Sequence, residues 1–169
     1  MVTVSTVITL GIAVPETVLA NSFTGIGDLP GGDFQSTATA VSGDGSVVVG
    51  YSSNSATGFE AFRWTEAEGI VGLGDLPGGE FRSFADGVSE DGSVVVGRGD
   101  NGLGFSGEES FRWTQEVGMV GLGSLHLSDE IIISSGAYGV SSDGSIISRH
   151  YSHHLWQQSI SLDSSGWDD

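Results

Sequence analysis

The strongest constraint in this sequence is repetition. GIGDLPGGDF at 25–34 returns as GLGDLPGGEF at 72–81, VSGDGSVVVG at 41–50 as VSEDGSVVVG at 88–97, and FRWT at 62–65 again at 111–114. A third copy opens with GLGSL at Gly121 and recovers GVSSDGSIIS at 139–148. Asp91 follows Asp44 by 47 residues, and Asp143 follows Asp91 by 52. A unit of this length falls among the propeller repeats, in which roughly 40 to 50 residues supply one four-stranded blade.

Each unit reads as two hairpins. The first turns at SGDGS, SEDGS or SSDGS, where Gly45, Gly92 and Gly144 supply positive φ and Asp44, Asp91 and Asp143 can cap backbone amides. The runs Val47–Val49, Val94–Val96 and Ile146–Ile147 follow, and continuous apolar runs of this kind suit strands buried on both faces. The second hairpin joins EAFRWT (60–65) to IVGLGDL (70–76) through a loop ending in Glu68-Gly69, and it recurs at 109–125. Strand alternation puts Phe62 and Trp64 on one face, and Phe111 and Trp113 likewise. These aromatics are expected as a core layer between blades rather than as an exposed sugar platform. Gly72 and Gly74, two apart, are expected to leave a bare strip on a strand face for close approach, filled by large aromatics. The variable stretches SSNSATGF (52–59) and GDNGLGFSG (99–107) are expected as surface loops, where binding specificity usually sits on a repeated scaffold.

VSGDGSVVVGYS, then EAFRW, then GLGDLPGG resemble the bacterial extracellular HAF repeats, named for a His-Ala-Phe signature before a tryptophan-bearing strand. The resemblance covers residues 25–125 well and 126–148 loosely. Glu60 and Glu109 stand in place of the signature histidine, with Ala61 kept and Ser110 substituted. It implies display outside a bacterial cell, propeller-like blades and no established catalytic activity.

Composition narrows the partners. Lys plus Arg number 5 against 22 Asp plus Glu, a net charge of −17, and all the bases are arginine. Phosphate backbones are repelled by such a surface, so nucleic acid is not an expected partner, and neither is an anionic membrane. Cysteine is absent, which removes disulfides, thiolate metal sites and cysteine nucleophiles. Residues 1–20 hold an apolar run from Val7 to Val14, then Pro15 and a small-residue ending, although no basic residue precedes the run. The run is too short to span a bilayer and suits the core of a secretory signal peptide, with a β-rich N-terminal strand as the other reading.

Candidate chemistry is sparse. Asp44, Asp91 and Asp143 are calcium candidates, but neither an EF-hand spacing nor GGxGxD is present, so turn capping is the preferred reading. His150, His153 and His154 could hold a transition metal, and a frayed C-terminal end is the preferred alternative. Asp28, Asp75, Asp33 and Glu80 recur in the GDLPGG segments and read as turn caps, because a glycosidase pair needs two carboxyls in different environments. There is no G-x-S-x-G elbow, and Gly72-Leu-Gly74 lacks the rest of a dinucleotide fingerprint.

The expected architecture is all-β: antiparallel four-stranded blades resembling a partial β-propeller. A signal peptide (1–20) precedes a repeat domain (21–148) with units 25–71, 72–120 and 121–148, and a degenerate tail occupies 149–169. The expected function is extracellular or cell-surface structure or binding, without catalysis or cofactor and with an extracellular protein or glycan as partner. The alternatives are a propeller-type hydrolase or lyase acting on extracellular glycans, and a calcium-stabilised adhesin. Three blades leave open edges, so self-association is expected to cover them.

Overall fold

The computed structural model describes residues 24–54, 58–102, 107–123, 134–152 and 157–163. Strands occupy β1 Gly31–Val41, β2 Val47–Asn54, β3 Phe59–Thr65, β4 Gly69–Gly72, β5 Ser83–Val88 and β6 Val94–Asp100. They continue with β7 Glu108–Thr114, β8 Gly118–Gly121, β9 Ser134–Val140, β10 Ile146–Ser152 and β11 Gln157–Asp163. No helix occurs among the described residues. The strands form three antiparallel meanders, β1-β2-β3-β4, β5-β6-β7-β8 and β9-β10-β11, which do not close on themselves. No helix of the described residues is long and apolar enough to cross a membrane.

The first hairpin of each sheet is fixed by one hydrogen-bonding pattern used three times. In the first, Asp44 Oδ1 accepts from the Ser46 amide (2.9 Å), the Ser46 hydroxyl (2.8 Å) and the Ser42 hydroxyl (2.6 Å). Ser42 Oγ in turn accepts from the Val47 amide at 2.9 Å. The Asp91 and Asp143 turns repeat each of these bonds. A glycine at φ near +70° completes the reversal in each case.

The sheets stack through one recurring contact. A Cβ on Gly92 would strike the side chain of Val47 in the first sheet, and a Cβ on Gly144 would strike that of Val94 in the second. β5 lies against β1, β2 and β3, and β9 repeats this against β5, β6 and β7. Val47, Val49, Ala61, Ala85, Val95 and Phe111 make the first interlayer core, and Val94, Val96, Ala137 and Ile147 anchor the second. Each sheet thus has a front, facing the sheet before it, and a back, facing the sheet after it. Serines complete the contact: Ser83 Oγ accepts the Ala61 amide (3.0 Å) and Ser135 Oγ accepts the Ser110 amide (2.9 Å).

Three expectations are corrected. Burial on both faces holds for Val94–Val96, because among the described residues only the second sheet has a sheet on each side; Val48 is half-buried and Ile146 is 46% exposed. Of the tail expected over 149–169, residues 149–152 and 157–163 belong instead to the third sheet, where β10 runs to Ser152 and pairs with β11, and the rest lies outside the described residues. The register sets Ile160 and Leu162 at the positions of Phe62/Phe111 and Trp64/Trp113, so aliphatic residues replace the aromatics that make the repeat visible. The glycine strip is filled by carboxylates rather than aromatics. The space where a Gly72 or Gly121 Cβ would sit is taken by the side chain of Glu60 or Glu109. Gly74 stands outside the strand, at φ +81°.

Gly45 and Gly92 share a turn type and a φ, but only Gly92 is packed against a neighbouring sheet. Gly45→Ala is expected to cost about 1–2 kcal/mol from backbone strain. Gly92→Ala is expected to cost about 1–3 kcal/mol more, because Val47 must be displaced. Urea unfolding of the two variants checks the difference.

Candidate functional site

Positions that repeat build much of the core, and a group of positions that differ between copies gathers in one place. Register equates Tyr51, Arg98 and His150 on the second strand of each sheet, and Thr37, Phe84 and Gly136 on the first. Phe59 and Glu108 are equivalent at the start of the third strand. Thr39, Asp86 and Tyr138 are likewise equivalent, each standing where the register of the first strand slips by one residue. Such bulges re-aim a side chain and are frequent beside functional sites.

Arg98 is the centre of this cluster. Its guanidinium carbon lies 4.9 Å from the Phe84 ring centroid and 5.8 Å from that of Tyr138. Nη1 sits 3.3 Å from Asp86 Oδ2 and donates to the Tyr138 hydroxyl at 3.2 Å, while Nε is 3.6 Å from Glu108 Oε2. Arg82 approaches the other Glu108 oxygen at 3.6 Å. Toward the first sheet, Tyr51 packs edge-on against Phe59 (5.4 Å) and Phe84 (5.0 Å). Toward the third, Tyr138 and His150 lie 6.4 Å apart. The patch therefore spans all three sheets, and Tyr138 is 51% exposed at its surface.

Burial raises the Asp86 carboxyl to about 6, outweighing the opposing pull of Arg98, and Glu108 pushes in the same direction as burial. Glu108, by contrast, is the more accessible carboxylate of the pair. Aromatic faces, a stacked guanidinium and two carboxylates together offer apolar surface and directional hydrogen bonding within one patch.

The turn aspartates are committed elsewhere. Their three hydroxyl and amide bonds hold Asp44 below the usual carboxylate range and bring Asp91 and Asp143 to about 2. Among the described residues, no group of three or more histidines and carboxylates converges on a possible metal position. His150 is half-buried in β10, while His153 and His154 lie outside the described residues. Phe62 and Phe111 are fully buried, and Trp64 and Trp113 are half-buried. Asp75 accepts the Arg82 amide at 2.7 Å, closing the loop between β4 and β5, and burial raises its carboxyl.

Glu60 and Glu109, in the place of the signature histidine, accept the Gly74 and Gly123 amides at 3.1 and 2.8 Å. Their second oxygens receive Asn54 and Asn101 at 3.4 and 2.8 Å. A separate cleft of about 580 Å³ at the turn end is lined by Arg63, Arg112, Trp113, Asp91, Asp143 and Glu116, among others.

Compared with models of protein families and with curated protein sequences, the chain matches none.

Asp86 gives the patch a pH signature. An acid whose folded pKa is raised above its unfolded value of about 3.9 binds its proton more tightly when folded, so stability declines as pH rises through the interval between them. Thermal melts from pH 4 to 7 are expected to show this decline in the wild type and a smaller one in Asp86→Asn, where the raised Asp75 carboxyl remains. Below pH 4 the Asp91 and Asp143 turns act oppositely, and their stabilisation is lost as pH falls toward 2.

Proposed function

We propose that this chain is an extracellular binding scaffold of the HAF-repeat kind, its sheets acting as propeller-like blades and its ligand being a glycan. The observation that carries the reading is the convergence of non-repeated residues. Tyr51, Phe84, Asp86, Arg98, Glu108 and Tyr138 meet on one patch, although their equivalents in other copies differ in size and charge. A scaffold whose core repeats while one surface diverges is suited to carrying specificity on that surface. Sugar rings present apolar C–H faces and hydroxyls that both donate and accept. Half-exposed Phe84 and Tyr138 suit the former, and the Arg98–Asp86–Glu108 group suits the latter. The net charge of −17 favours neutral or cationic ligands over anionic ones.

Glycan arrays followed by calorimetry test the reading. Arg98→Ala and Tyr138→Ala are expected to weaken binding at least about fivefold, corresponding to about 1 kcal/mol or more from the loss of a stacked cation. Arg112→Ala, in the turn-end cleft, is expected to leave it unchanged. Retention of no glycan by the folded chain, or equal binding by Arg98→Ala, refutes it.

A hydrolase is the second reading, favoured by one feature. Asp86 and Glu108 flank the same guanidinium, and burial holds the former carboxyl near 6. That pairs a proton donor with an accessible carboxylate. Under this reading, reducing ends appear when the chain is incubated with its glycan, and Asp86→Asn abolishes their release while retaining binding.

A further inference from the structure

The two interlayer contacts are copies of one interface, and the unmatched halves of that interface lie at opposite ends of the stack. On the front, Ser83 and Ala85 of β5 are completely buried against the first sheet, and Ser135 and Ala137 of β9 are buried against the second. Their equivalents in β1, Ser36 and Ala38, are exposed, as are nearly all of the residues of that strand. Ser36 is nevertheless set as its counterpart is: its hydroxyl donates to the Gly27 carbonyl at 2.7 Å, just as Ser83 donates to the Gly74 carbonyl at 2.6 Å. Among the described residues, no amide reaches it as those of Ala61 and Ser110 reach Ser83 and Ser135 from a preceding sheet. Gly45 has open space where Gly92 and Gly144 meet a valine, and Val41 is 59% exposed where Val88 and Val140 pack into the cores.

On the back of the third sheet the opposite half is open. Val47 and Val94, which enter the glycine turns of the next sheet, are 2% and 4% exposed, whereas their equivalent Ile146 is 46% exposed. The register of β11 places Ser159 at the position of Ala61 and Ser110, the residues whose amides reach the serine of the following sheet.

We propose that the front of the first sheet in one copy of this chain binds the back of the third sheet in a second copy, head to tail. Ile146 then enters the Gly45 turn as Val47 enters that of Gly92, and the Ser159 amide meets Ser36 Oγ. The match is between two different surfaces, so the contact is heterologous and produces a ring or an open array rather than a two-fold dimer. Repeat stacks commonly end in polar caps, and Ala38, Val41 and Ile146 leave apolar side chains at both ends here. The net charge of −17 opposes association between copies, and this repulsion is screened as salt rises.

The test uses the full chain in multi-angle light scattering and sedimentation velocity, across protein concentration and at 0.05–0.5 M NaCl, roughly the span in which the Debye length contracts below 10 Å. Mass is expected to exceed one chain, to grow with concentration and to grow with salt. Ala38→Arg blocks the front and Ile146→Asp blocks the back. Both replace exposed residues, and circular dichroism checks that the sheets persist. Each variant alone is expected to be monomeric, and an equimolar mixture is expected to give a dimer that does not extend. Should Ile146→Asp fail to fold, Ala38→Arg added to the wild-type chain is expected to cap assembly and lower its mean mass. A folded wild-type monomer at every concentration and salt overturns the proposal, including one that associates only after residues 1–20 are removed, since that segment would then be the occupant. Assembly unaffected by Ala38→Arg, or a mixture that remains monomeric, also overturns it.

Discussion

Everything else in this protein rests on the seating of one valine in the glycine turn of the next sheet. The contact has two requirements that the same five residues satisfy. The turn must be rigid, which the aspartate achieves by gathering two hydroxyls and an amide onto a single oxygen. It must also be bare on its outer side, which only glycine allows. The stacked turns are joined further by backbone bonds, from the Asp44 amide to the Glu90 carbonyl and from the Glu90 amide to the Ser142 carbonyl. Spacing between sheets is thereby set by atoms of the main chain, and side chains elsewhere in the layer are free to vary.

That freedom separates structure from specificity. Small residues occupy the sites of closest approach: Ser83, Ala85, Ser135 and Ala137 face the preceding sheet, and their hydroxyls replace strand pairing with single hydrogen bonds between layers. The bulge residue beside each alanine is released from the ladder: Tyr138 meets Arg98 of the neighbouring sheet, Asp86 meets Arg98 within its own, and Thr39 donates to the Ala85 carbonyl of the next. The divergent patch is thus a geometric consequence of how the sheets are joined. Glu60 and Glu109 show the same economy: a carboxylate occupies the hollow above a strand glycine and takes up a main-chain amide in the adjoining bend.

Much of the architecture could be read from the residues because its signals are local. Asp-Gly flanked by apolar runs specifies a hairpin, and repetition at fixed spacing specifies a sheet repeated in register, so strand order within the sheets needs no distant contact. The third sheet faded from view at Arg149 because Ile160 and Leu162 keep the alternation of β11 but not the aromatic identity. The candidate patch was less legible still. Tyr51, Phe84, Asp86, Arg98 and Tyr138 belong to no motif, and the acids that recur in the sequence lie instead in the turns, where their carboxylates accept local hydrogen bonds. Their one mark in the sequence is that the copies disagree there.

By itself, then, the sequence determined the all-β class, the hairpins, the glycine turns and the acidic charge that disfavours phosphate partners. Those properties follow from dihedral preference, alternation and composition, each of which acts over a few residues or over the whole chain at once. Only the tertiary structure decided which valine enters which turn, that carboxylates fill the glycine strip, that the patch around Arg98 spans three sheets, and that burial raises the Asp86 carboxyl. These depend on distances between residues some 12 to 50 positions apart in the chain. Packing one sheet on the next fixes those distances, because a buried carboxyl or an exposed alanine is defined by its neighbours and not by its own identity.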